Sequence, residues 1–259
     1  MHTSTRLFAV VAVLVATAGQ AAAKDWTVVR FGTDATYPPF ESQDAAGNIV
    51  GFDVEIGNAL CAELKITCEW SNQDWDGIIP ALTAGKIDAI LSSMSVTEER
   101  LKTIDFSNKI YNTPPAIAVP KDSDIKGVTP EDLAGYSIGV QSSTTHATYA
   151  EQVFKDSETR YYKTADDYKL DLDSGRLDAA MDDIVVLTDW LDSPDGACCK
   201  LLGQIKLVPE IHGIGTGIGL RKEDTDLKEM FNKAIAAIRA NGTYKQINDK
   251  YFKFDAYGE

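Results

Sequence analysis

Three short polar stretches contain residue types that could bind a charged small molecule. The first spans residues 92–100, SSMSVTEER, and ends on Arg100. Ser95 and Glu98 have the S-x-x-E spacing of a capping box, which predicts that a helix begins here and presents free backbone amides to an anion. The guanidinium of Arg100, further along that helix, is suited to pairing with a carboxylate. Taken alone, the stretch could equally be an ordinary capped helix with a surface arginine.

The other two stretches supply the remaining groups for such a ligand. Residues 141–146, QSSTTH, form a polar turn before a predicted helix and offer further backbone amides. Asp182 and Asp183 follow a predicted strand. A carboxylate there could accept an α-ammonium group, although aspartate at a strand end is also a common turn residue. An arginine with amides for a carboxylate, and an aspartate for an ammonium, together suit an α-amino acid.

Hydrophobic periodicity places these stretches in a β-α-β-α-β order. Val28–Thr33 is a predicted strand, and residues 53–64 are a predicted helix capped by Asp53. A second helix begins at Trp75, and residues 87–91 form the next strand. Such an order predicts a parallel sheet with helices on its faces. Ligands of these sheets bind beyond the carboxyl ends of the strands, which is where the polar stretches lie.

The second half of the chain repeats this order. Its predicted elements are strand 136–140, helix 145–154, strand 159–163, helix 166–173 and strand 177–181. The sequences GKIDAI at residues 85–90 and GRLDAA at residues 175–180 also match one another. The repeat predicts two similar α/β lobes, although helix-glycine-strand junctions can also look alike by chance.

Composition and the N-terminal segment restrict the class of protein. The chain has 259 residues, is 44% hydrophobic and carries a formal net charge of −14. This charge would repel nucleic acids and anionic membranes, so no nucleic-acid partner is expected. Residues 1–23 combine one arginine, a short apolar run and a final AAA, which is the pattern of a signal peptide. We predict cleavage after Ala23 and an exported mature chain.

The chain contains four cysteines, which in an exported protein favour disulfides over metal ligands. Cys61 and Cys68 enclose a short segment and could join the end of a helix to the start of a strand. Cys198 and Cys199 are adjacent, so a bridge between them needs backbone strain, and their redox state is left open. With few histidines nearby in sequence, no metal site is predicted.

An ordered set of motifs runs through the chain after residue 23. These motifs are FGTDATYPPF at residues 31–40, GFDV at 51–54, DGIIP at 76–80, KIDAI at 86–90, SMS at 93–95 with Arg100, and GTY at 242–244. On these motifs the chain resembles the bacterial periplasmic amino-acid-binding proteins of ABC importers, solute-binding protein family 3. Within that family it is most similar to the lysine/arginine/ornithine and histidine binders.

The resemblance implies an α/β, two-lobed periplasmic-binding-protein fold of type II. Each lobe would be a mostly parallel sheet flanked by helices. Residues 24–112 and 213–259 would form lobe 1, and residues 113–212 would form lobe 2. Two crossing segments, near residues 111–115 and 209–215, would join them.

The resemblance also implies which residues hold the two charged ends of the ligand. Arg100 and the amides of Ser95 and Thr145 would bind the carboxylate. Asp183, Ser95 and the carbonyl of Ser93 would bind the ammonium.

The same resemblance assigns the groups around the ligand side chain. Tyr37 and Trp75 would enclose it between two aromatic rings, and Asp34 and Ser92 would meet its head group. As alternatives, Trp75 could pack in the core beside its helix, and Asp34 could stabilise a turn. The full set of predicted ligand-binding residues is Asp34, Tyr37, Trp75, Ser92, Ser93, Ser95, Arg100, Gln141, Thr144, Thr145, His146 and Asp183.

Two residues depart from the pattern of the lysine/arginine/ornithine binder. Gln141 and His146 stand where that protein has an apolar residue and a glutamine. The side-chain end of the pocket should therefore differ, and arginine, lysine, ornithine, histidine or an arginine-derived opine all remain candidate ligands. We expect His146 to be a neutral polar lining residue rather than a catalytic base.

The predicted function is capture of one amino acid by lobe closure and its delivery to an inner-membrane ABC permease. The protein is expected to be a monomer that needs no cofactor and catalyses no reaction. Two alternatives remain. The fold also resembles periplasmic cyclohexadienyl dehydratases, for which Asp183 or Glu98 would be the acid, and the protein could instead be the ligand-sensing partner of a membrane receptor.

Overall fold

A computed structural model describes residues 24–258, so the predicted signal peptide and its cleavage site lie outside the described residues. The first elements are β1 (Val28–Thr33), β2 (Thr36–Tyr37), β3 (Glu41–Gln43), β4 (Ile49–Val50), α1 (Phe52–Leu64), β5 (Thr67–Asn72), α2 (Trp75–Thr83), β6 (Ala89–Ile90), α3 (Glu98–Leu101) and β7 (Asp105–Phe106). The middle elements are β8 (Pro115–Pro120), α4 (Pro130–Leu133), β9 (Ser137–Gln141), α5 (Thr145–Val153), β10 (Glu158–Tyr162), α6 (Ala165–Asp173), β11 (Ala179–Asp183), α7 (Ile184–Asp192), the 3-10 helix Pro194–Gly196 and β12 (Cys199–Gln204). The last elements are α8 (Pro209–His212), β13 (Gly219–Leu220), α9 (Thr225–Ala240) and α10 (Thr243–Tyr251).

These elements form two α/β lobes, each built on a five-stranded sheet. The first sheet has the order β5-β1-β6-β13-β7, and the second has the order β10-β9-β11-β8-β12. In each sheet the first three strands are parallel, and the last two pair antiparallel. Both sheets are therefore mixed. Strands β8 and β13 each enter from the opposite lobe, and both lie antiparallel to their neighbours in the sheet.

The repeat detected in the sequence is a structural repeat. Both β1-α1-β5-α2-β6 and β9-α5-β10-α6-β11 place the first strand at the centre of a parallel trio. The helices that precede the third strand of each trio both end on a glycine in the left-handed region, Gly85 and Gly175, each with φ of 71°. Only glycine adopts this conformation without steric cost, which explains why the two short sequences match.

The chain crosses between the lobes twice, and the two connections run side by side. The first lies between β7 and β8, and the second between β12 and β13. The N–H of Thr216 donates to the carbonyl of Tyr111 at 2.8 Å, and the N–H of Ile110 donates to the carbonyl of Thr216 at 2.8 Å. The lobe limits predicted at residues 112 and 212 fall in these connections and remain a proposal.

The C-terminal helices pack on the first lobe. The ring of Phe231 in α9 lies 5.7 Å from that of Phe31 in β1, and the ring of Tyr244 in α10 lies 6.2 Å from that of Phe52 in α1. These contacts bury the apolar faces of both helices. Within residues 24–258, no helix is long and apolar enough to cross a membrane.

Two of the predicted helix caps are wrong. Helix α3 is capped by Thr97, whose hydroxyl accepts from the N–H of Arg100 at 3.3 Å, and not by Ser95. Ser95 instead lies two residues before the cap, in a β-bridge with Thr216 of the second connection. Helix α1 is preceded by a glycine, and Asp53 points inward to accept from the N–H of Ser93 at 2.8 Å.

Both cysteine pairs are bonded. The Cys61–Cys68 bridge connects α1 to β5, across a Cα–Cα distance of 6.0 Å. Cys198 and Cys199 form a vicinal disulfide at the start of β12. In the described part of the chain no cysteine is free.

Candidate functional site

A cavity opens between the two lobes at the carboxyl ends of their strands. Asp34 follows β1 and Ser92 follows β6 on one wall, while Gln141 ends β9 and Asp183 ends β11 on the other. Every residue predicted to bind ligand lines this one cavity. The lining residues that sequence reasoning missed are Glu41, Tyr111, Asn112, Thr113, Pro115, Leu207, His212 and Thr216. Several of them lie in the connections between the lobes, whose course sequence periodicity does not indicate.

Arg100 provides the cationic side of the cavity. Its Nη1 donates to the carbonyl of Ser95 at 2.9 Å, and its Nη2 donates across the cleft to the carbonyl of Ser143 at 3.3 Å. The guanidinium lies 5.3 Å from the ring centroid of Trp75. Burial lowers the pKa of Arg100 to about 10, so it remains charged at neutral pH. These contacts hold the guanidinium of Arg100 in place and leave its positive charge at the cavity.

Asp183 provides a carboxyl group on the opposite lobe. It caps α7 by accepting from the N–H of Val185 at 2.7 Å, and it also accepts from the hydroxyl of Thr113. Burial raises the pKa of Asp183 to about 7. A cation that entered the cavity beside this group would favour its ionised form.

Asp182, the preceding residue, lies at the centre of a buried hydrogen-bond network. Its two oxygens accept from the hydroxyls of Tyr37 and Tyr168, and Nδ1 of His146 lies 3.2 Å from Oδ1. Burial lowers the pKa of His146, which agrees with the neutral role expected for that side chain. Asp182 thus connects residues of both lobes without itself lining the cavity.

Asp34 and Gln141 meet across the cleft. Nε2 of Gln141 donates to Oδ2 of Asp34 at 2.9 Å and to the carbonyl of Lys163 at 3.0 Å. Oδ1 of Asp34 accepts from the hydroxyl of Thr36 at 2.9 Å. The N–H of Asp34 donates to the hydroxyl of Ser92 at 2.9 Å. Burial raises the pKa of Asp34, which indicates that its charge is only partly compensated by these donors.

Two further acidic residues, Glu41 and Asp53, lie next to each other beside the cavity. Ser92 donates to Glu41 at 3.1 Å, and Asp53 accepts from the N–H of Ser93 and, at 3.1 Å, from the hydroxyl of Tyr111. The two carboxyl groups hydrogen-bond to one another. Burial and the charge of Asp53 raise the pKa of Glu41 well above its usual range, and burial raises that of Asp53 to about 7. At neutral pH the pair therefore favours holding a proton, which their buried and otherwise unpartnered oxygens, Glu41 Oε2 and Asp53 Oδ1, can share.

Trp75 and the residues beside it form the rim of the cleft. The indole Nε1 of Trp75 donates to the carbonyl of Ser143 at 3.3 Å, and Lys163 pairs with Asp74 at 3.0 Å. Trp75 is only partly buried, so it lines the cavity in addition to packing against its helix's core. Because such hydrogen bonds and ion pairs join the two walls of the cleft directly, the lobes are in a closed arrangement.

The turn before α5 contributes the two remaining threonines. Thr144 caps the helix by accepting from the N–H of Ala147 at 3.1 Å, and Thr145 is its first residue. Both line the cavity. Glu98, the other acid considered for an enzymatic role, is exposed and does not line it.

One partly buried guanidinium and buried carboxyl groups on opposite walls can bind a small zwitterion, because each charged end would find a partner of the opposite sign. This fold and this site define a two-lobed solute-binding protein. The sequence profile of the bacterial extracellular solute-binding proteins, family 3, matches residues 29–254, so the chain belongs to this family. The predicted family and the type II fold are confirmed.

Three similar proteins illustrate the relationship. The L-arginine-binding protein of Pseudomonas aeruginosa is 44% identical over 233 residues, which cover 89% of this chain and 90% of that protein. The histidine-binding periplasmic protein of Escherichia coli is 42% identical over 233 residues, covering 89% of each. Among solved structures, an ancestral arginine-binding protein bound to arginine superposes with a TM-score of 0.81 at 36% identity, covering 87% of this chain and 98% of that one.

Proposed function

We propose that this protein captures a basic amino acid between its lobes and delivers it to the membrane permease of an ABC importer. The observation that carries the proposal is the charge pattern of the cavity. One guanidinium, Arg100, is opposed by the buried carboxyl groups of Asp34 and Asp183. A ligand with one carboxylate and two cationic groups complements this pattern, and relatives named for arginine and histidine binding support it.

In this proposal the backbone of the ligand lies between Arg100 and Asp183. The guanidinium of Arg100, with the amides of Ser95 and Thr145, binds the carboxylate. Asp183, with Ser95 and the carbonyl of Ser93, binds the ammonium. Because ionised Asp183 would be costly in the empty cavity, the ligand cation and the carboxylate stabilise each other on binding.

The side chain of the ligand then extends toward the other end of the cavity. Its methylenes contact the rings of Tyr37 and Trp75, which offer apolar surface and π faces to a cation. Asp34 and Ser92 bind the cationic head group. Ligand bound in this way contacts both walls at once, so it stabilises the closed arrangement over an open one, and the closed shape is what a permease recognises.

The setting of this function is also part of the proposal. Residues 1–23 direct export, the mature chain acts in the periplasm as a monomer, and residues 113–212 form the lobe that closes on the rest. No reaction is catalysed. Incubation with prephenate and arogenate tests the enzymatic alternative directly, since turnover of either would assign a dehydratase activity that uses Asp183.

The deciding experiment identifies the ligand. The purified protein is denatured gently and any released small molecule is identified by mass spectrometry, and ligand-stripped protein is then screened by thermal unfolding against the protein amino acids and common opines. We expect arginine, lysine, ornithine or histidine to raise the unfolding temperature through mass action. If no amino acid stabilised the stripped protein, the proposal would fail.

A further inference from the structure

The side chain of Gln141 has one polar atom that its protein neighbours leave unused. Its Nε2 donates to Asp34 and to the carbonyl of Lys163, which are both acceptors. This fixes the orientation of the amide, because the reverse orientation would place the oxygen against two other acceptors. Within residues 24–258, Oε1 accepts no hydrogen bond. It is also not one of the fully buried polar atoms that lack a partner, so it retains some accessible surface. Gln141 is 6% exposed and lines the cavity, which leaves the cavity as the open space that Oε1 can reach.

The orientation of this amide does not depend on the opposite lobe. The carbonyl of Lys163 lies in the same lobe as Gln141, at the end of the neighbouring strand β10. It therefore holds Oε1 toward the cleft before Asp34 arrives from the other wall. An acceptor that is oriented in advance loses less entropy when a ligand binds.

In the closed arrangement, Oε1 of Gln141 and the carboxylate of Asp34 are two separate acceptors, with the amide nitrogen between them. A guanidinium carries five N–H donors on three nitrogens in one plane, so different nitrogens can reach the two acceptors together. An alkylammonium carries its donors on a single nitrogen, and an imidazolium has only two donors. The two acceptors therefore match a guanidinium better than either alternative.

We infer that Gln141 is a specificity-determining residue that makes this cavity prefer arginine over lysine, ornithine and histidine by accepting from the ligand guanidinium in the closed state. The inference rests on the proposed function and goes beyond it, since it names the ligand side chain and the residue that selects it. Asp34 attracts any cationic head group, whereas Gln141 distinguishes between them by the number and arrangement of their donors.

The test compares the affinity for arginine with the affinities for the other basic amino acids. Ligand-stripped wild type and Gln141→Met, which keeps the side-chain length without polar atoms, are titrated calorimetrically with arginine, lysine, ornithine and histidine. We expect the arginine-to-lysine affinity ratio to fall about ten- to a hundredfold in Gln141→Met, because donors of the bound guanidinium lose their acceptor, whereas the lost bond to Asp34 weakens closure for both ligands alike. Gln141→Leu provides a second variant if the first does not fold, as judged by its thermal unfolding without ligand.

Ser142→Ala is the matched control. Ser142 is adjacent, does not line the cavity, and contacts Asp76 across the cleft at 3.3 Å. Its loss weakens closure for every ligand alike, so the arginine-to-lysine ratio should stay at the wild-type value. If Gln141→Met also left that ratio unchanged, Gln141 would be a closure contact only and the inference would be overturned while the proposed function stood. If the wild type bound no basic amino acid, the proposed function would fall and the inference with it.

Discussion

The hydroxyl of Tyr37 in the first lobe donates a hydrogen bond to the carboxylate of Asp182 in the second. The same carboxylate accepts from Tyr168 within its own lobe. One buried acid therefore receives one donor that is always present and another that arrives only when the lobes close. The Tyr37 bond therefore contributes to lobe closure, whereas the Tyr168 bond contributes to the stability of the second lobe. Removing one hydroxyl group at a time tests the two contributions separately.

Tyr37→Phe should weaken ligand binding by about tenfold, because the closed state loses a hydrogen bond to a charged acceptor that the open state does not contain. The ring stays in place, so its contact with a ligand side chain is preserved. Calorimetric titration with the ligand identified by mass spectrometry measures the change. Tyr168→Phe is the control and should lower the free energy of unfolding without ligand while changing affinity little. Equal effects of both variants on affinity would contradict this role of Tyr37.

Arg100→Ala should weaken every α-amino-acid ligand by about a hundredfold or more, since the ligand carboxylate would be buried without its partner. Agmatine, which lacks that carboxylate, should bind the variant no more weakly than it binds wild type. Lys102→Ala is a suitable control because Lys102 directly follows α3, is exposed and pairs with Glu99 of that helix. A comparable loss of agmatine and arginine binding would remove the assignment of Arg100 to the carboxylate.

Asp183 should make both stability and affinity depend on pH. Its pKa is raised to about 7 by burial, against about 3.9 in an unfolded chain. The folded, ligand-free protein therefore binds more protons between these values. The stability that Asp183 contributes is fully present below about pH 4 and is lost as the pH rises through about 7.

Denaturant unfolding of ligand-free protein at several pH values measures this effect, and Asp183→Asn should flatten the decline by about 1–3 kcal/mol. The ligand ammonium favours ionised Asp183, so affinity should rise between pH 6 and pH 8, with proton release detected by titration in buffers of different ionisation enthalpy. Asp53, whose pKa is also raised to about 7, contributes to the stability profile but should not contribute to proton release on binding. Asp34, whose pKa is also raised by burial, faces the ligand head group in the proposal, so proton release in Asp183→Asn as large as in wild type would refute the assignment.

We expect the buried pair of Glu41 and Asp53 to tolerate replacement of Glu41 by glutamine but not by alanine. Glu41→Gln keeps a donor toward Asp53, so the free energy of unfolding at neutral pH should be close to that of wild type. Glu41→Ala leaves Asp53 buried without that donor and should cost about 1–3 kcal/mol. Chemical denaturation of both variants without ligand gives the comparison. A large loss in Glu41→Gln would mean that the pair does not share a proton as described.

Much of the site can be predicted from the sequence, because local sequence patterns show which residues lie at the ends of the strands in a parallel α/β sheet. Asp34, Gln141 and Asp183 each lie at the end of a predicted strand, and the ends of parallel strands meet at one edge of a sheet. Residue type then indicates which of these side chains can meet a charge. The motifs shared with a known family extended this set to Tyr37 and Trp75, and the structure brings all the predicted residues to one cavity.

The tertiary structure alone decided how these groups are paired. Ser95 and Glu98 have the spacing of a cap, but the cap is Thr97, and Ser95 bridges to Thr216 in a distant part of the chain. Asp182 has its partners in both lobes, and the proton shared by Glu41 and Asp53 depends on their burial against each other. A strand or helix is set by neighbours in sequence, and its pattern can be recognised there. A hydrogen bond between lobes or a shifted pKa depends on the distance and burial of groups far apart in sequence, which only the folded chain determines.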